Sequence, residues 1–224
     1  MKTSLFLLLL SSNLFAGSDN MTTITTYQHE SVKALRPILD EWAIDAYREY
    51  PYLYVFQDES DYNTLFEVDP DAIVLFAEQG GKKVGMISAS PLSSPYLKDQ
   101  HYTPAAYLDQ IKKQGYNPDN IYYISCFLLQ KEERQNLATA LLLFKKAVEF
   151  AKKLGKTQIC YMEITADPAH PLKPQNFIPC EPWALLNKPF NSMNVTVESS
   201  WPTLQADGSV KEQQHKLPLY VMDI

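Results

Sequence analysis

Glycine is scarce in this chain: 7 residues in 224, against 15 prolines and 14 tyrosines. Turns that need a positive φ are therefore few, the loops should be stiff, and the core should be rich in aromatic rings. Cysteine is scarcer still. Cys126, Cys160 and Cys180 make an odd number with no CxxC pair and no Cys/His ligand spacing, which excludes a disulfide framework and a zinc site of the usual pattern. Cys126 and Cys160 fall in predicted buried strands, where a thiol behaves as a small hydrophobe. His29, His101, His170 and His215 are too scattered to form a metal cluster, so no metal is expected. Positive charge is also short, with 20 Lys and Arg against 26 Asp and Glu and a formal net charge of −6. That balance argues against a nucleic-acid surface, which needs a basic patch. The one apolar run, Leu5 to Leu10, is interrupted by Ser11, Ser12 and Asn13 and is too short for stable membrane insertion.

What is present is an ordinary globular composition, 46% hydrophobic and 21% charged, with alternating strand and helix patterns and no repeat or linker. One α/β domain is the economical reading. Residues 22–27 read as a strand. A helix follows from Ser31 as N-cap, with Leu35, Leu39, Trp42, Ala46 and Tyr50 at helical spacing, and Pro37 either kinks it or begins a second one. Strands at 72–78 and 82–90 flank Gly80-Gly81, a hairpin turn that requires positive φ. A short helix at 105–114 ends at Gly115. Later come a proline-rich loop at 167–182, a short helix at 183–187, and strands at 194–200 and 216–222.

Residues 121–164 say most. They read as a buried strand (121–129), a sharp turn, an amphipathic helix (133–154) and a second buried strand (157–165). Leu137, Leu141, Phe144, Val148 and Ala151 form the predicted buried stripe of the helix. Such a unit presents a strand end and a helix N-terminus to one small volume, where unpaired N–H groups and the helix dipole favour a pyrophosphate.

This order of elements resembles the GNAT family of N-acetyltransferases over residues 21–224. More narrowly, Arg48-Glu49-Tyr50-Pro51-Tyr52-Leu53-Tyr54 and Ala169-His170-Pro171-Leu172-Lys173-Pro174 resemble two segments of a bacterial GNAT subgroup, "REFPYLY" and "DHPLRP". The resemblance implies one acyl-CoA N-acyltransferase domain with a mixed, mostly antiparallel sheet flanked by helices. It implies acetyl-CoA as co-substrate and direct transfer of the acetyl group to an amine, on a small molecule or a protein. The backbone near Phe127, Leu128 and Leu129 would then pair with the pantetheine arm. The family's phosphate loop, Gln/Arg-x-x-Gly-x-Gly/Ala, falls on Glu133-Arg134-Gln135-Asn136-Leu137-Ala138, followed by Thr139, and only Ala138 fits. Asn136 adds bulk where glycine lets the backbone approach phosphate, and Glu133 brings negative charge, with Arg134 and Thr139 as candidate compensation.

Relatives carry a glutamate base near Cys126. Glu163 is the best carboxylate substitute: alternation puts it with Tyr161 on one strand face, opposite Cys160, Met162 and Ile164. His170 can serve as acid or base, or lock its proline-flanked loop. Tyr123 can donate to the thioester or pack, and the tyrosines at 50–54 would line the acceptor side. Two functions follow: an acetyl-CoA-dependent N-acetyltransferase, or a catalytically degenerate GNAT-fold protein that binds a ligand or partner. Residues 1–20 admit two readings as well. They are either a signal peptide cleaved after Ala16, giving a periplasmic or secreted protein, or an upstream extension of a cytoplasmic chain that starts at Met21. Coenzyme A thioesters and reduced thiols favour Met21.

Overall fold

The computed structural model describes residues 21–55, 65–99, 103–134, 136–165, 167, 169–175 and 189–224. Strands β1 (Thr23–Tyr27), β2 (Ile73–Gln79), β3 (Lys82–Pro91), β4 (Ile121–Leu129), β5 (Gln158–Met162), β6 (Asn191–Leu204) and β7 (Val210–Asp223) form one sheet in the order β1-β2-β3-β4-β5-β7-β6. Every neighbouring pair is antiparallel except β4 and β5. This is the mixed, mostly antiparallel sheet that the resemblance implies. Gly80 (φ 56°) and Gly81 (φ 79°) close the β2–β3 hairpin, with Gln79 paired to Lys82, as expected of a two-residue turn with both φ positive.

The sheet is buried on both faces. On one face lie α1 (Glu30–Lys33), α2 (Arg36–Tyr47), α3 (Leu65–Val68) and α4 (Leu108–Lys113). Val32, Leu39, Leu65 and Ile111 from these helices join Val74, Phe76, Met86, Tyr123 and Cys160 of the sheet in one core. On the other face α5 (Leu137–Lys153) packs Ala140, Leu143, Phe144 and Ala147 against Leu75, Ile87, Tyr122 and Ile159. Burying a side chain such as Phe144 stabilises the domain by about 1.5–3 kcal/mol. Pro37 opens α2 rather than kinking one long helix, since proline's missing N–H costs nothing in a first turn.

Three sequence expectations shift. Ser31 lies inside α1, whose N-cap is His29, and its hydroxyl bonds back to the Gln28 main chain. α5 begins at Leu137, not 133, because residues Lys131–Glu133 form a 3-10 turn and Asn136 is the N-cap. The buried stripe moves with it: Leu137 is 44% exposed, while Thr139, Ala140, Leu143, Phe144, Ala147 and Ala151 face the sheet. The late strands are also far longer than expected. β6 and β7 run 14 residues each as one hairpin. The helix expected at 183–187, and Cys180, lie outside the described residues.

Candidate active site

The site is set by where β4 leaves β5. The two strands pair only from Ile121 opposite Gln158 to Ile124 opposite Tyr161. Beyond Ile124, β4 continues against β3 alone, after a bulge in which Ser88 faces Cys126 while Ala89 faces Ile124. The extra residue is Ser125, held by its hydroxyl to Ser88 Oγ at 2.9 Å and to the Ser88 carbonyl at 3.2 Å.

This bulge reverses the strand's alternation. Before it, Tyr123 faces the helical layer of α1 to α4 and Ile124 faces α5; after it, Cys126 and Leu128 face the first core and Phe127 and Leu129 the second. Tyr123 and Cys126, three apart, therefore share a face. The bulge also orders the main chain. The Gln130 amide donates to the Val84 carbonyl at 3.0 Å. By alternation Leu128 also turns its backbone polar groups to β3, whereas Phe127 and Leu129 turn theirs to the gap beside β5. Two of the three expected backbone positions are thus open to a ligand in the gap, and Leu128 is not.

On the helical side of the gap, phenols gather round Cys126. Tyr47, at the end of α2, hydrogen-bonds the Cys126 sulfur and meets the Tyr52 ring edge-on at 4.9 Å and 75°. Tyr123 is 3% exposed. Burial, then the neighbouring Cys160, Tyr52 and Cys126, hold its phenol well above the ordinary value. Cys126 beside Tyr47, together with burial, does the same for Tyr47. Burial pushes the Cys126 thiol up to about 12, against the Tyr47 hydrogen bond. A thiol so held is neutral, and a poor nucleophile. Glu163 follows the end of β5, half-buried, with its amide donating to the Pro218 carbonyl at 3.2 Å. Its carboxylate is near enough to raise the Tyr52 phenol further, after burial and Cys126. Tyr52, Tyr123 and Cys126 thus share one side of the sheet with Met162 and Ile164, and Glu163, between those two in sequence, reaches this region only through its influence on Tyr52.

The turn before α5 is arranged differently from the expectation. Asn136 does not offer its amide outward: its Oδ1 accepts from the Thr139 amide at 3.2 Å and its Nδ2 donates to Glu133 at 2.8 Å. Thr139 is 1% exposed and accepts from Gln79 Nε2 at 3.3 Å, so it compensates nothing at the surface. Leu137 and Ala138 are exposed, and first-turn amides have no intrahelical acceptor. Arg134 turns away to Glu49, which also holds Lys131 at 2.8 Å. Against the cost of partial burial, these two cations hold the Glu49 carboxyl below its ordinary value. Gln135 lies outside the described residues.

The two subgroup segments meet in space. The Tyr50 hydroxyl donates to the Asp167 carbonyl, and the His170 ring lies 6.1 Å from that of Tyr50. His170 Nδ1 accepts from the Leu172 amide at 3.2 Å, a loop-locking arrangement. The segment 52–55 is tied in turn to β6. Trp201 Nε1 donates to the Tyr52 carbonyl at 3.1 Å, the Leu204 amide to the Leu53 carbonyl at 2.9 Å, and the Val55 amide to the Pro202 carbonyl at 2.8 Å. Sequence reasoning missed Tyr47, Glu49, Lys131 and the Ser125 bulge. Only for Glu49 was there a signal, its place inside the early segment. Among the described residues no group of three or more His, Cys, Asp or Glu could hold a metal, and no helix is long and apolar enough to cross a membrane.

The fold is similar to that of a coenzyme A-dependent acyl-homoserine lactone synthase solved with SAM and isopentyl-CoA. The TM-score is 0.55 at 14% identity, over 91% of this chain and 84% of that one. It is similar also to yncA from Salmonella typhimurium, solved with its cofactor acetyl-CoA (TM-score 0.54, 11% identity, 91% and 94% covered). An N-acetyltransferase from Staphylococcus aureus Mu50 gives a TM-score of 0.53 at 14% identity, with 91% and 98% covered. No curated protein sequence matches. The model of the acetyltransferase (GNAT) family matches residues 33–172, and the chain belongs to that family. Membership makes its general chemistry acyl transfer from an acyl-CoA.

Proposed function

We propose that this protein is an N-acetyltransferase that moves the acetyl group of acetyl-CoA to an amine. The observation that supports this reading is the parting of β4 from β5. It opens the backbone of Phe127 and Leu129 next to the first turn of α5 on the donor side, and leaves Tyr123 and Tyr52 on the acceptor side with Glu163 close enough to act on Tyr52.

Two proton transfers of the reaction each have a candidate group there. The incoming ammonium must lose a proton before its nitrogen can attack, and Glu163 is the carboxylate available to take it. The N–C bond then forms as the C–S bond breaks. The acylated nitrogen sheds its surplus proton to the medium, from which the proton donor is restored, and the departing thiolate needs a proton. Tyr123, kept protonated by burial, is the phenol that can give it. Cys126 stands where a relative's base would be, but as a neutral thiol it packs rather than reacts. His170 serves as a loop residue in this reading.

A second reading, binding without catalysis, draws support from the turn before α5, where Glu49 occupies Arg134 and Lys131 and Asn136 occupies the Thr139 amide. Calorimetric titration of acetyl-CoA and desulfo-CoA into the full chain separates the two. Saturable micromolar binding followed by turnover in an amine screen supports the enzyme. An absence of binding at millimolar ligand leaves only the second reading.

A further inference from the structure

Glu49 has an unusual position. Its carboxylate bridges the two cations nearest the N-terminus of α5, Lys131 at 2.8 Å and Arg134 by a direct contact. Its backbone carbonyl accepts from the Tyr52 and Leu53 amides, both at 3.0 Å, and so closes the turn that presents Tyr50 and Tyr52 to the acceptor side. One residue therefore ties the donor neck to the acceptor wall. The carboxylate and a phosphate ask for the same partners, since both are oxyanions that accept charge-assisted bonds from Arg and Lys. Only one can hold these cations in full.

We infer that Glu49 is an internal competitor for the phosphate groups of the acyl-CoA donor, and that donor binding draws Lys131 and Arg134 off it. This rests on the acyl-CoA site proposed above. Three features fit it. The Glu49 side chain is about one-third exposed, so the contact can open without uncovering core. Lys131 and Arg134 are more exposed than their partner, and long flexible cations can swing between two anions. Of the two carboxylates within this turn, Glu132 and Glu133, Glu133 is engaged by Asn136 on the chain's own side, and the carboxylate that holds both mobile cations is Glu49. Release of the Glu49 side chain leaves its turn held by Tyr50 to Asp167 and by Tyr52 to Trp201.

The test is calorimetry on the full chain with three probes: coenzyme A, inorganic pyrophosphate, and S-acetyl-pantetheine, which carries no phosphate. Exposed ion pairs contribute little each, so Glu49→Gln should tighten coenzyme A and pyrophosphate by about threefold to tenfold. It should leave S-acetyl-pantetheine unchanged. Glu41→Gln, on exposed α2 surface, removes the same charge elsewhere and should do nothing. If the wild-type chain binds coenzyme A and Glu49→Gln binds it equally or less tightly, the competition is refuted and the acyl-CoA site stands. Equal tightening by Glu41→Gln also refutes it, by assigning the effect to net charge. If neither protein binds coenzyme A or pyrophosphate at millimolar concentration, the site and the competition fall together.

Discussion

The Tyr50 hydroxyl donates to the Asp167 carbonyl at 2.7 Å, across 117 residues of chain. It joins the early tyrosine-rich segment to the late proline-rich loop, the two stretches whose likeness to one GNAT subgroup was visible in the sequence. Tyr50→Phe removes one neutral hydrogen bond and keeps the ring, so stability should fall by about 1 kcal/mol. The loop at 169–175 should become the first site of proteolytic nicking. Urea unfolding and timed proteolysis read both effects, and a variant with an unchanged cleavage pattern would mean that the loop is held by something else.

Glu163 and Cys126 make opposite predictions. If Glu163 takes the ammonium proton, Glu163→Gln should lower kcat by about a hundredfold or more while the acetyl-CoA Kd is unchanged. Cys126→Ala should keep kcat within about tenfold, because a thiol pushed up to about 12 is not a nucleophile at neutral pH. At pH 8 such a thiol carries roughly a thousandfold less thiolate than an ordinary one, so mass-mapped alkylation at Cys126 should be slow. Rapid alkylation there, or a collapse of kcat in the alanine variant, would return Cys126 to the mechanism.

Ala138 sits exposed in the first turn of α5. Ala138→Trp should fill the space beside the helix-end amides and weaken acetyl-CoA binding by more than about tenfold. As a surface change it should move stability by no more than about 0.5 kcal/mol. Calorimetry and thermal unfolding measure the pair. An unchanged Kd would take the donor site away from this turn.

The long hairpin carries a pH-sensitive element. His215 is stacked on Trp201 (centroids 3.7 Å apart, planes within 7°), and its Nε2 lies 2.9 Å from Thr203 Oγ1. The Thr203 hydroxyl donates to the Trp201 carbonyl, so His215 Nε2 must be the donor in their bond. Burial lowers the His215 pKa, opposed by Glu212. The unfolded chain therefore binds the proton more tightly than the folded one, and folding favours the neutral ring. This stability is fully present above the ordinary imidazole value of about 6.5, and is lost as pH falls through it toward the folded value. The urea midpoint should drop between pH 7 and pH 5, and His215→Gln should flatten that slope. Equal slopes in both proteins would place the titration elsewhere.

Much of the fold was legible because its signals are local. β4 runs from Ile121 to Leu129 as the apolar run suggested, and Gly80-Gly81 turns the β2–β3 hairpin. Other features were hidden for physical reasons. Asn136 stops the helix from starting earlier by spending its side chain on Thr139 and Glu133, a choice that composition does not announce. The hairpin of β6 and β7 extends through Lys211, Glu212, Gln213 and Gln214, whose side chains are exposed, so no apolar alternation marked it. Glu49 and Arg134 are 85 residues apart, and no periodicity links two charges at that distance.

Ser125 bears on any attempt to alter this protein's chemistry. One supernumerary residue in β4 acts as a phase shift, so counting by twos from the start of the strand gives the wrong wall after residue 124. A carboxylate grafted at 126 would enter the phenol-lined side, whereas the same graft at 127 would be driven into the packing beneath α5. Deleting Ser125 would exchange the two walls wholesale. The chemistry available to the cleft is thus governed by chain length at a single point as much as by which side chains the strand carries.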